Sequence, residues 1–158
     1  MESLDRSDFM YSNIYEMLIK QKQKFHGTVS WRLKSHAKVL QKHLNADEDV
    51  LYAFSGQKNF SSLNIFNTYA VILTNKRIMI AQKRLFFGYF FLSITPEMFN
   101  DITIKCGIFW ARVNIDTIKE EVTLSNISKA AVTEIETTIT DYMMMEKRKY
   151  GLANKEQD

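Results

Sequence analysis

The 158-residue chain has one cysteine, one proline and five glycines. A lone Cys106 can close no internal disulfide and carries no sign of an oxidising compartment; as a free thiol it is expected to be buried and inert. Scarce proline and glycine, set against eleven Phe, seven Tyr and two Trp, exclude a disordered or low-complexity protein. So much apolar surface can offset the entropy lost on ordering the chain. No apolar run reaches the ~20 residues that a membrane-spanning helix needs. Met1-Glu2-Ser3-Leu4-Asp5 has neither the basic start nor the apolar core of a secretory signal, so a cytoplasmic location is the expectation.

Catalytic and metal-binding patterns are missing too. His36 and His43 stand seven apart rather than at the i, i+4 spacing that brings two imidazoles to one metal, and His26 lies on a separate stretch. Asp47-Glu48-Asp49 is followed by Leu51 to Phe54, which offer no oxygen ligands for calcium, and reads as a solvated lead into a strand. Ser93, Ser125 and Ser128 have no glycine-flanked elbow. Glu120 and Glu121 alternate across a strand, a poor geometry for paired acid and base work. The sequence therefore assigns no catalytic residue, no metal, no cofactor and no small-molecule substrate, and a non-enzymatic role is expected.

The remaining signal is hydrophobic period. Residues 4–25 and about 30–44 repeat apolar side chains every three or four positions, as in Met10, Ile14, Met17 and Leu18, then Leu33, Ala37, Leu40 and Leu44. From Val50 the period becomes two. Strands are expected at Val50–Phe54, Ile65–Thr74, Arg77–Ala81, Leu85–Ile94, Ile102–Lys105, Ile108–Ile115 and Glu121–Leu124, with a loop over Ser55–Asn64 and a hairpin turn at Asn75-Lys76. The aromatic density of Leu85–Ile94 requires cover on both faces. Asn126 or Ser128 would cap a final helix, residues 127–145, that buries Ala131, Ile135 and Ile139. The expected fold is α+β: about seven antiparallel strands in a barrel or sandwich with a C-terminal capping helix, preceded by N-terminal helices. The domains are residues 1–47 as a helical extension, 48–146 as the sheet domain and 147–158 as a flexible polar tail.

Three runs carry a resemblance: Val71-Ile72-Leu73-Thr74-Asn75-Lys76-Arg77-Ile78-Met79-Ile80, Arg84-Leu85-Phe86-Phe87-Gly88 and Lys105-Cys106-Gly107-Ile108-Phe109. Together, over residues 48–145, they resemble the bacterial pleckstrin-homology-like (PH-like) domains, in particular the YokE-like branch. That resemblance implies a bent antiparallel barrel plugged by its last helix, with no assigned biochemical role. Eukaryotic relatives bind phosphoinositides through basic residues in the loop between the first two strands. Here Lys58 is the only charge in that loop, and one ammonium cannot form a multidentate clamp.

Two kinds of partner follow. The favoured expectation is a protein partner or self-association, through Met10, Ile14 and Met17 and through Phe87 and Tyr89 of the aromatic strand. The alternative is docking on an anionic membrane or nucleic acid. From Lys20 to Lys42 there are seven basic residues and no acidic one. On that segment Lys34, Lys38 and Lys42 with Trp31 provide charge and an interfacial aromatic. For the fold itself, Ile135→Ala should lower the unfolding free energy by ~2–5 kcal/mol in urea denaturation, as a large-to-small change in a core does.

Overall fold

The computed structural model describes residues 6–28, 30–58 and 67–155, with side chains from residue 13 onward. Two helices come first, α1 (Arg6–Lys24) and α2 (Leu33–His43). The strands are β1 (Val50–Lys58), β2 (Thr68–Thr74), β3 (Ile78–Lys83), β4 (Tyr89–Ile94), β5 (Phe99–Cys106), β6 (Trp110–Thr117) and β7 (Glu121–Ser128). A last helix, α3, spans Val132–Lys155. The seven strands form one antiparallel sheet in the order β4-β3-β2-β1-β7-β6-β5. Its two edge strands, β4 and β5, are joined only by residues 95–98. A link that short spans little more than ~14 Å, so the sheet has to curl until its edges approach. This is the expected α+β arrangement, down to the strand count.

Strand alternation divides the core in two. Phe54, Tyr69, Val71, Leu73, Ile78 and Ile80 point into the curl, where Ile135, Ile139 and Met143 of α3 close it. The residues between them, Ala53, Ala70, Ile72, Met79 and Ala81, face outward and are covered by Ile14 and Leu18 of α1 and by Leu33, Ala37 and Leu40 of α2. Three of those five outward positions are alanine, which lets the helices lie close to the sheet. Each buried Ile or Leu of the helices contributes roughly 1.5–3 kcal/mol by leaving water.

Local chemistry shifts several boundaries. Arg32 has a left-handed backbone, φ 53° and ψ 35°, so α2 starts at Leu33 instead of Ser30. β1 runs on through Ser55, Gly56, Gln57 and Lys58, where a loop was expected. A side chain at Gly56 would come within 3.2 Å of Ile127 and Leu124, so any larger residue would push on the side chains of β7 there. The rest of the expected loop, residues 59–64, lies outside the described residues, as do the first residues of the strand expected from Ile65. The Asn75-Lys76 turn is as expected: Leu73 pairs with Ile78, and the Thr74 N–H donates to the Arg77 carbonyl at 2.9 Å.

In β7, Asn126 at φ 55° is the extra residue of a bulge and does not cap a helix. Ser128 also belongs to that strand, its carbonyl accepting from the Ala131 N–H at 3.0 Å as the chain turns into α3. α3 then continues to Lys155, so residues 147–155 are helical where a flexible tail was expected. Cys106 is exposed at the end of β5, contrary to the expected buried thiol.

The largest correction is Glu48. It was read as part of a solvated acidic lead, yet it is 1% exposed. Arg77 grips it in two places, Nε to Oε1 at 2.9 Å and Nη2 to Oε2 at 3.0 Å. Thr74 Oγ1 donates to Oε1 at 2.6 Å, and the Asn45 N–H donates to Oε2 at 3.1 Å. The same guanidinium donates to the His43 carbonyl at 2.8 Å and to Ser93 Oγ at 3.1 Å. Removing one partner strands a buried charge, which typically costs ~3–5 kcal/mol, whereas an exposed pair is worth ~0–1 kcal/mol. Glu48→Ala should therefore lose several kcal/mol in urea denaturation. Asp47→Ala, which breaks the exposed pair with Lys76, should change little.

Candidate functional site

The sequence-predicted surface residues separate once the chain is folded. Ile14 is fully buried between α1 and the sheet, and Met17 packs at the edge of the same cluster, so both belong to the fold. The side chain of Met10 lies outside the described residues. Phe87 stands at the opposite extreme, 87% exposed. It belongs to a turn and not to a strand: β3 ends at Lys83, β4 starts at Tyr89, and Gly88 at φ 72° turns the chain back. The Arg84 N–H donates to the Gly88 carbonyl at 3.2 Å to close this loop. Leu85, Phe86 and Phe87 are thus held out at a hairpin tip, with Phe86 82% exposed. The covered aromatics of this hairpin begin only in β4, where Phe90 and Leu92 turn inward and Phe91 faces α2.

Helix α2 lies beside this hairpin and is tied to it along its length. At its start, Arg32 Nη1 donates to the Arg84 carbonyl at 3.4 Å, and the guanidinium lies 5.2 Å from the Trp31 ring. In the middle, His36 is fully buried and its Nδ1 accepts the Lys83 N–H at 2.8 Å. At its end, His43 stacks on Phe91 with ring centroids 3.8 Å apart and places Nε2 3.1 Å from Tyr89 Oη. Lys42 Nζ lies 5.9 Å from the Tyr89 ring. Lys38 and Lys42 together with Lys83 and Tyr89 line a small cleft of about 170 Å³ between helix and hairpin. Lys34 is exposed on the same helix but does not line the cleft. Three of the four residues proposed for an anionic surface, Trp31, Lys38 and Lys42, thus come to the flank of the apolar tip. The tip itself was missed as a separate feature, although Lys83-Arg84 followed by Leu85-Phe86-Phe87-Gly88 was its signal.

A second apolar tip joins β5 to β6. The Gly107 N–H donates to the Trp110 carbonyl at 2.8 Å, leaving Ile108 84% and Phe109 76% exposed. Trp110 Nε1 donates to the Gly27 carbonyl at 2.8 Å, which ties this end of β6 to the α1–α2 link. Behind the tip is a wider hollow of about 480 Å³ floored by Ser125 and Asn126. Among the described residues, no cluster of three or more His, Cys, Asp or Glu could hold a metal ion. No described helix is long and apolar enough to cross a membrane.

A family model described as bacterial PH domain matches residues 44–141. Among solved structures, the chain is similar to a pleckstrin homology domain from Shewanella amazonensis SB2B. They share 18% identity with a TM-score of 0.48, over 68% of this chain and 95% of that one. It is also similar to a DUF1696 family protein with a pleckstrin-homology domain from Shewanella loihica PV-4, at 16% identity and a TM-score of 0.46, over 72% and 99% of the two chains. No curated protein matches.

His36 gives this region a measurable pH signature. Burial lowers its pKa from 6.5 to about 4, offset in part by the Trp31 backbone and reinforced by the Arg32 charge. The folded protein therefore holds the ring neutral, with its proton on Nε2 because Nδ1 accepts from Lys83. Since the folded pKa lies below the unfolded one, the unfolded chain binds the extra proton first. The stabilisation is complete above pH ~6.5 and is lost as pH falls towards 4, on the order of 3 kcal/mol in all. Urea denaturation between pH 7 and 4.5 should show this loss, and His36→Gln should flatten it.

Proposed function

The chain belongs to the bacterial PH domain family, and we propose that it is a non-enzymatic interaction module that docks on an anionic membrane surface through the β3–β4 hairpin and α2. The observation that carries this reading is the placing of Leu85, Phe86 and Phe87 at an exposed tip whose neighbours are Lys83, Arg84, Arg32, Lys38 and Lys42. Water-exposed aromatic side chains at a tip gain nothing from the fold, and a contiguous apolar patch with a polar rim marks an interaction surface. The rim here is cationic, which suits the negative face of a bilayer.

Magnitudes support a two-part mechanism. Full insertion of each large apolar side chain is worth roughly 1.5–3 kcal/mol, and each Lys or Arg near an anionic surface ~1 kcal/mol. Association costs at least ~4 kcal/mol in lost translational and rotational freedom. Partial insertion of the tip alone would be marginal, and charge alone would be swept away by salt. Together they give reversible binding that needs both, the logic of peripheral anchors. Assignment to the YokE-like branch within the family is our finer reading, supported by the Leu73-Thr74-Asn75-Lys76-Arg77 hairpin.

A second reading, a protein partner or a second copy of the chain, is favoured by the β5–β6 tip. Ile108 and Phe109 are as exposed as the first tip, and the rim there includes Lys105 and Arg112. The two readings separate in one experiment. The wild-type chain should sediment with phosphatidylcholine vesicles containing phosphatidylglycerol, less so as salt shortens the Debye length from ~30 to ~8 Å. The double variant Phe86→Ser, Phe87→Ser should stay folded and lose at least about tenfold in vesicle affinity. Absence of vesicle binding, or preference for duplex DNA, would overturn the membrane reading. A light-scattering dimer abolished by Phe109→Ser would establish the second.

A further inference from the structure

We infer that the cleft between α2 and the first residue of β4 is a subsite for a phosphate monoester, an inference that rests on the reading of the hairpin as a membrane-docking element. Four cations, Arg32, Lys38, Lys42 and Lys83, line it together with the hydroxyls of Ser35 and Tyr89, and among the described residues no carboxylate does. The placement follows from two periodicities. Positions 32, 35, 38 and 42 repeat every three or four residues and share one face of α2 and its first turn. Lys83 and Tyr89 are direct partners across the β3–β4 ladder, so their side chains leave the same face of the sheet.

The walls of the cleft are fixed independently of any ligand. His36 Nδ1 holds the backbone of Lys83 against the helix, and the His43–Tyr89 hydrogen bond holds the other end. Arg32 is kept at the mouth by its left-handed backbone and its bond to the Arg84 carbonyl. A non-glycine residue in that conformation is strained, and the surrounding contacts must override the strain. When His43 donates from Nε2 to Tyr89 Oη, the phenol hydrogen is left to point at an anion.

Size and charge select the ligand class. A volume of about 170 Å³ falls well short of the roughly 300–1,000 Å³ of sites for drug-sized molecules, and suits a single small anionic group. Four converging cations are balanced better by a group with nearly two negative charges than by one with a single charge. A phosphate monoester carries about −1.5 to −2 and presents three strong acceptor oxygens. A diester carries one charge and has two of its oxygens esterified. The monoester could sit on a lipid headgroup, as in phosphatidic acid, or on a soluble molecule such as glycerol 3-phosphate.

The test compares vesicles containing phosphatidic acid with vesicles containing phosphatidylglycerol at matched surface potential. The full chain should bind the former about tenfold more tightly, the scale of one charge-assisted hydrogen bond. Lys38→Gln and Lys83→Gln should each bring that ratio close to one. Lys34→Gln, on the same helix outside the cleft, should weaken both kinds of vesicle alike and leave the ratio unchanged. Equal binding of both vesicles by the wild type overturns the subsite while leaving membrane docking intact. If neither vesicle binds, docking itself fails, and glycerol 3-phosphate titrated against the amide signals decides the cleft alone. Shifts confined to α2 and residues 83–89 keep the phosphate site with a soluble source, and their absence removes it.

Discussion

A carboxylate with no access to water has to find all its hydrogen bonds inside the protein, and Glu48 does so between four donors on three segments. Moving such a charge out of water costs several kcal/mol, and only near-ideal geometry recovers it. Here both oxygens receive two bonds each, and Arg77 delivers one to either oxygen as a planar fork. Burial by itself would raise its pKa, and these bonds hold it below the usual carboxylate value. The rest of the structure depends on this arrangement because its members come from the connector after α2, the end of β2, the start of β3 and, through Ser93, the edge strand β4. Arg77 also caps the C-terminal end of α2 at the His43 carbonyl, where a positive charge meets the negative end of the helix.

From that anchor the position of α2 follows, and with it the covered outer face of the sheet. The family match begins at residue 44 and so leaves out both N-terminal helices. Physically they are less separable than that boundary suggests. Ile72 and Met79 are fully buried only because α1 and α2 lie on them. A further link, from Lys24 and Tyr52 to Glu134, joins α1, β1 and the start of α3. Helices α1 and α2 thus complete the core of the sheet they precede.

What could be read from the sequence was whatever repeats with a period. Alternation over 71–80 and 111–115 and the i, i+4 stripe of Ile135 and Ile139 located strands, hairpin and capping helix, because burial on one face leaves a regular mark. Three things left no such mark. Glu48 looks like any surface acid until Arg77, distant in the chain, is brought against it. Asn126 resembles a helix cap because the same tolerance of left-handed backbone serves a cap and a bulge alike. Leu85-Phe86-Phe87 continues the apolar run of β4, so composition alone extends the strand backwards. Only Gly88 with positive φ separates side chains that pack from side chains that are presented.

That separation is the physical basis for a functional reading of the hairpin. β3 and β4 bury their inward residues and hold Phe91 against His43, so the base of the hairpin is rigid while its tip makes no packing contribution of its own. Helix α2, pinned at His36 and His43, cannot move independently of that base. The cations of α2 therefore keep a set distance from the apolar tip, and little conformational entropy is lost in bringing the two together at a surface. A surface that is charged and apolar at once has to satisfy both parts in one orientation. A fold that locks helix to hairpin supplies that orientation before any partner arrives.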